Sequence, residues 1–288
     1  MTGLFTRRLG RVLRVTVATL LVTAPLVAQS PQRIVSLVPN LTEMLFAIGA
    51  GPHVVAVSSF DREPEAVRAL PRVGALLDPD VERILSLRPD LVVTYGSQSE
   101  LKAQLARTGI AVFDYRHGGL ADALTTLRAL GVRTGHAREA ETLARRLEQQ
   151  IAATRARVAG RTPPRTLLVF GREPGSLRNI YAVGGTGFLH DMLEAAGGTN
   201  VLADVPRESV QVTTETILSR APDVILEIRG ATDPVRAGVS PDLAPWKTLA
   251  SVPAVREGRL VVLSGAWLTV PGPRVGDAID RFAAALHP

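Results

Sequence analysis

The sequence predicts an α/β protein built as two similar α/β lobes with central sheets, joined by one long rigid helix. Three observations carry that expectation. Short β-branched runs alternate with helical segments in both halves, the pattern of strands linked by crossover helices. Two phrases recur in the same order. "VERILSLRPDLVV" at 81–93 returns as "TETILSRAPDVIL" at 214–226 with six of thirteen positions identical, and "EMLFAIGA" at 43–50 returns as "DMLEAAGG" at 191–198. Between the halves, residues 136–160 read as one uninterrupted helix.

The first 29 residues stand apart. Arg7, Arg8, Arg11 and Arg14 precede a fourteen-residue apolar run too short to cross a bilayer, and Ala28 offers a small residue for cleavage. Residues 1–29 are therefore expected to be a signal peptide on an exported, periplasmic protein, with an uncleaved membrane anchor as the alternative. Without those four arginines the net charge of +6 falls to +2, 29 basic against 27 acidic residues, which weakens any nucleic-acid reading. There is no cysteine, hence no disulfide framework and no lipoprotein attachment point.

The first lobe is expected over 31–133. Strands fall at 33–38, 54–58, 91–95 and 111–115, with helices at 41–50, 80–88 and 98–108, the last stopped by Gly109. Such alternation implies parallel pairing. The connecting helix at 136–160 places Ala140, Leu143, Leu147, Ile151 and Val158 near helical spacing and ends at Gly160 and Pro163–Pro164. At 1.5 Å per residue it runs roughly 35 Å, a stiff strut that predicts little relative movement of the lobes. The second lobe, 164–288, restarts the scheme with strands at 165–171, 223–228 and 259–264 and helices at 188–198 and 214–221. "GGTGFL" at 184–189 lacks the Lys-Ser/Thr of a P-loop and reads as a turn before a helix.

No catalytic set assembles. The five histidines (53, 117, 136, 190, 287) show no metal-ligand spacing, and no activated nucleophile motif is present, so neither an enzyme nor a resident cofactor or metal is expected. Ligands of open α/β sheets meet the loops at the carboxyl ends of the strands. In the first lobe those loops contain Pro39 and Asn40, Phe60, Asp61 and Arg62, and Tyr95 and Gly96. In the second they contain Phe170 and Arg172, Arg207, Arg229, and Trp267 and Arg274. Tyr115 and Tyr181 lie on or near the same rim, while Trp246 reads as packing. With aromatics at 4% of the chain, their gathering beside arginines suits a large, flat, partly polar ligand. In the repeated phrase, Val81, Ile84 and Leu85 form the inward face, so Glu82 points outward. For Glu215, capping by Thr213 or Thr214 and the helix dipole supply a competing structural explanation.

The stretches "RIVSLVPNLTEMLFAIGAG", "PDVERILSLRPDLVV", "VGGTGFLHDMLEAAGGTNV", "SVQVTTETILSRAPDVIL" and "WKTLASVPAVREGRLVVL" together resemble the periplasmic solute-binding proteins of ABC importers for cobalamin, haem and ferric siderophores. The resemblance spans 31–288 and is nearest to the cobalamin-binding (BtuF-type) members. It implies the helical-backbone periplasmic binding protein fold, a monomer that holds a corrinoid in the cleft between its lobes and delivers it to a permease dimer. It also implies that Glu82 and Glu215, one per lobe, pair with permease arginines. The cleft departs from the cobalamin pattern, with Arg172 and Arg207 in regions where those members carry aromatics. Haem or a ferric siderophore is therefore an alternative ligand, since arginines suit carboxylates and Tyr95 could stack on a corrin or bind haem iron. An exported enzyme or metal-cluster protein on the same two-lobed scaffold is a second alternative.

Overall fold

The computed structural model describes residues 30–229 and 242–288. The signal-peptide expectation at 1–29, and the part of the 227–233 loop beyond Arg229, lie outside the described residues. In chain order the first half forms β1 (Ile34–Ser36), α1 (Pro39–Ala47), β2 (Val54–Val57), α2 (Val81–Ser86), β3 (Leu91–Tyr95), α3 (Ser99–Arg107), β4 (Ala111–Tyr115) and α4 (Leu120–Thr134). Its four strands pair in parallel in the order β2-β1-β3-β4. Helix α5 (Ala137–Val158) follows.

The second half begins with β5 (Arg165–Gly171), β6 (Ile180–Val183), α6 (Phe188–Ala195) and β7 (Thr199–Asn200). It continues with β8 (Ser209–Val212), α7 (Thr214–Arg220), β9 (Val224–Arg229), α8 (Pro253–Arg256), β10 (Leu260–Ser264) and α9 (Val275–Leu286). Here the sheet runs β10-β9-β5-β6-β8, with β7 paired to β5. The two sheets correspond strand for strand, β4-β3-β1-β2 against β10-β9-β5-β6. The expectation of a uniformly parallel scheme fails at the second sheet's far edge, where β6 lies antiparallel to β5 and β8 antiparallel to β6. The turn at 172–179 sends the chain straight back without a crossover helix, which only antiparallel strands allow.

Both sequence echoes are structural. Ile84 and Ile217 are buried at the same place in α2 and α7, and the preceding residues, Asp80 and Thr213, cap those helices by accepting from Arg83 N and Thr216 N. Each helix ends on a left-handed residue before the Pro-Asp pair, Arg88 (φ 47°) and Ala221 (φ 43°). The two aspartates then do the same work. Asp90 accepts from the backbone N–H of Arg33, whose guanidinium donates to Leu87 O; Asp223 accepts from Arg165 N–H, whose guanidinium donates to Arg220 O. The phrase thus ties the turn before one strand to the first residues of its neighbour. In the second echo Met44 and Leu45 match Met192 and Leu193 in full burial, and Gly49 (φ 91°) matches Gly197 (φ 80°) as a left-handed stop.

Helix α5 turns Ala140, Leu143, Ala144, Leu147 and Ile151 into one apolar stripe, with charged residues filling the opposite face. That stripe joins a hydrophobic core that is continuous from Ile34 and Leu91 in the first sheet to Leu226 and Leu263 in the second, by way of α4, α6 and α9. Two smaller cores back the outer faces of the sheets, one around Ile84 and Leu105, the other around Ile217 and Trp246. α4, which the sequence reading leaves unassigned, lies directly on α5. Gly131 makes the approach possible, because a Cβ there would sit 2.2 Å from the Ala140 Cβ. Gly131→Ala should therefore overpack the α4–α5 contact and cost about 1–3 kcal/mol, read as a lower midpoint in urea unfolding.

Candidate functional site

Aromatic rings gather at the carboxyl ends of the strands in both halves, Tyr115 and Phe188 buried, Tyr95 and Phe170 part-exposed. Tyr95 and Tyr115, ending β3 and β4, meet edge to face with centroids 5.5 Å apart. Tyr115 continues to His117, and His117 stands edge-on to Phe188 of the second lobe at 5.5 Å. Phe170, ending β5, lies 6.4 Å from Tyr181 of β6. The Tyr115 hydroxyl hydrogen-bonds His117 Nδ1 at 3.1 Å, and burial pushes its pKa up to about 12. Burial also raises that of Tyr95. Both rings are thus neutral phenols at physiological pH.

At the outer rim of the first lobe, Phe60 is 62% exposed. Beside it a short antiparallel excursion at 74–79, bonded through Ser59 N to Gly74 O, carries Leu77 at 93% exposure. The second lobe contributes a depression of about 660 Å³ lined by Phe170, Leu189, Thr269 and a buried charge cluster, within the size range of small-molecule sites. That cluster centres on Glu227. It accepts from Arg172 Nε at 3.1 Å, Arg229 Nη2 at 3.0 Å and Trp246 Nε1 at 3.0 Å.

The predicted residues divide into three groups. Phe60, Arg62, Tyr95, Phe170 and Arg207 present surface at the rim or cleft. Pro39 opens α1, and Asn40 beside it is buried near Tyr115 with its Nδ2 donor unpaired. A second group is structural. Arg172 is 4% exposed and donates to Glu227, Ser176 O and Asp242 O, so the expectation that it grips ligand is corrected to a support inside the wall. Asp61 is likewise buried, its Oδ2 accepting from the Ser58 N–H and hydroxyl; it closes the turn after β2, and burial raises its pKa. Gly96 draws the end of β3 onto β4, donating to Tyr115 O and accepting from Lys102, which also pairs with Asp114. A third group pairs with protein carboxylates: Arg229 with Glu227, and Arg274 with Glu43 of the other lobe while stacking 5.9 Å from the Trp267 ring centroid. Trp246 packs, fully buried.

Sequence reasoning missed Glu227, Leu77, His117 and Phe188. Glu227 was legible: a lone acid inside the apolar run "VILEIR" of a strand buried on both faces demands buried cationic partners, and Arg229 ends that same strand while Arg172 follows β5. The glycines of "GGTGFL" have a packing reason, for a Cβ on Gly184 or Gly185 would lie 2.1 Å from the carbonyl oxygen of Arg207 or Ala203. Among the described residues no three His, Asp or Glu side chains gather as a metal set. Nor is any described helix long and apolar enough to cross a membrane.

Glu82 and Glu215 are exposed, each the second residue of its helix. Asp80 and Thr213 are the side-chain caps of those helices. The Thr213 hydroxyl holds the Glu215 carboxyl below its usual range.

Two α/β halves with aromatic rings gathered at their strand ends fit a solute-binding protein, and residues 34–266 match the periplasmic binding protein family; the chain belongs to that family. It is similar to a vitamin B12-binding protein of Yersinia pseudotuberculosis, 30% identical over 264 residues, 91% of this chain and 89% of that one. Among solved structures it resembles the vitamin B12-binding protein BtuF of Vibrio cholerae (26% identity, TM-score 0.75, 89% of this chain and 97% of that one). It also resembles the heme-binding protein RhuT of Roseiflexus (29% identity, TM-score 0.74, 89% and 98%).

Glu227→Ala should strand the Arg172 guanidinium, buried and without its carboxylate. The expected loss is about 3–5 kcal/mol of stability by denaturant titration, with Glu227→Gln intermediate.

Proposed function

We propose that the protein captures a cobalamin-like corrinoid between its lobes in the periplasm and hands it to an ABC importer, without catalysis of its own. The observation that carries this is the charge arrangement of the cleft. Arg172, Arg229 and Arg274 all face carboxylates of the protein itself, beside half-exposed aromatic rings. Such a wall offers stacking surface with its guanidiniums already engaged inside the protein, which suits a flat macrocycle rimmed by amides; a ligand carrying two carboxylates would turn instead to the exposed Arg62 and Arg207 at the rim. The similarity to vitamin B12-binding proteins supports the same reading.

Haem is the second reading, favoured by the Tyr95 phenol at the cleft and the likeness to RhuT. Delivery would use Glu82 and Glu215, two exposed carboxylates at matching places on the lobes, for which basic residues of a permease dimer are the fitting partner.

Calorimetric titration should give cobalamin binding that Tyr95→Ala weakens about tenfold, in line with one lost stacking contact. A hemin Soret shift with no cobalamin heat would reverse the choice of ligand. Replacing Glu82 and Glu215 together by Ala should leave affinity intact and abolish ligand-stimulated uptake in reconstituted vesicles; unimpaired uptake would remove their docking role.

A further inference from the structure

The echo at 43–50 and 191–198 places an acid at matching positions of α1 and α6, and neither acid lies on the outer faces that carry Glu82 and Glu215. Both instead cross to the other lobe. Asp191 Oδ2, on α6 of the second lobe, accepts from Leu120 N–H at 2.7 Å. Leu120 is the first residue of α4 in the first lobe, where the N–H has no partner within its own helix and the dipole favours a negative charge. Glu43, on α1 of the first lobe, accepts from Arg274 Nη2 at 2.9 Å and Nε at 3.1 Å. Arg274 is the N-cap residue of α9 in the second lobe. The helices touched also correspond, since α4 and α9 each follow the last parallel strand of their lobe.

We infer that Glu43 and Asp191 are a matched pair of positioning residues that set the width of the ligand cleft. They touch no ligand; they pin each lobe to the N-terminal end of the other lobe's last helix. The local sequence is arranged around them. Gly119, the N-cap of α4, leaves the room that the Asp191 carboxylate occupies, because a Cβ there would lie 2.5 Å from Oδ2. On the other side Trp267 backs the Arg274 guanidinium and packs into the shared core. Glu43 keeps only 11% of its side chain exposed, and burial raises its carboxyl despite the arginine; a bidentate bond is what holds such a group in place.

The shared core holds the lobes together through apolar contacts that have no preferred direction. The two polar bonds add direction to that contact, so the rings of the cleft meet a ligand already spaced. The inference rests on the cleft being the binding site, and its test is built to separate the two.

The chain has no cysteine, so Gln104→Cys on α3 and Lys247→Cys after β9, both exposed, give a clean pair of spin-label sites on the two lobes. Distance distributions in the ligand-free protein should be narrow for the parent. They should broaden for Glu43→Ala and for Asp191→Ala, and broaden most for the double variant. Asp191→Asn and Glu43→Gln, which keep both size and an acceptor, should recover most of the parent distribution, whereas Asp191→Leu and Glu43→Met, which keep the volume without the acceptor, should not; a general packing role would not separate the two sets. Gly119→Ala should broaden it as well with every charge retained, and serves if the double variant does not fold. With cobalamin as the probe, the double variant should bind about tenfold more weakly, the cost of ordering the lobes on binding. A folded double variant, or Gly119→Ala, with the parent distribution would overturn the inference. No cobalamin binding by the parent would count against the corrinoid reading alone.

Discussion

The apolar stripe of α5 is the constraint on which the rest of the molecule depends. A helix of 22 residues between two sheets must bury its one greasy face, and here α4 from one lobe and α9 from the other cover it together. The result is a single core shared by both lobes rather than two cores joined by a tether. Everything that faces the cleft inherits its position from that shared core. Relative movement of the lobes would have to shear packed side chains, which close-packed interiors resist.

Around this seam the chain uses each half twice. The Pro-Asp turn fastens one strand to its neighbour by the same bonds in both lobes, with Asp90 and Asp223 as the acceptors. The duplicated aliphatics are explained by packing and the duplicated aspartates by those bonds. Glu82 is explained by neither, since Asp80 caps its helix, and Glu215 is held by the Thr213 hydroxyl while its side chain stays exposed. What is left over after local structure has been satisfied is the part of the repeat that faces outward.

Much of the fold was legible in the sequence because it rests on periodicity. β5 was read at its observed bounds, and α5 within two residues of its observed ends, because its stripe is unbroken. α4 went unassigned because Gly118, Gly119 and Gly131 argue against a helix locally, and only the contact with Ala140 shows why Gly131 is worth its propensity cost. The antiparallel edge β6–β8 was missed for a similar reason: the choice between a return strand and a crossover lies in the 172–179 turn, not in the strands. At the site, sequence position locates the loops but not the burial of each side chain. Arg172 and Asp61 sit in the loops expected of them, but loop position says nothing of burial. Both are held inside by partners, Glu227 and Ser58, that sequence proximity alone does not single out.

The Glu227 cluster has a further consequence for how the protein can change. One carboxylate satisfies two guanidinium groups and an indole at once, so altering any member disturbs three others and the β9 strand beneath. That part of the cleft is therefore frozen against single-step variation, although it is chemically the richest. Phe60, Leu77 and Arg207 are exposed and lightly attached, and they can be exchanged at little cost to the fold. Relatives that drift toward a different metal chelate are expected to diverge first at that soft rim, while the charged wall behind it persists unchanged as inherited masonry.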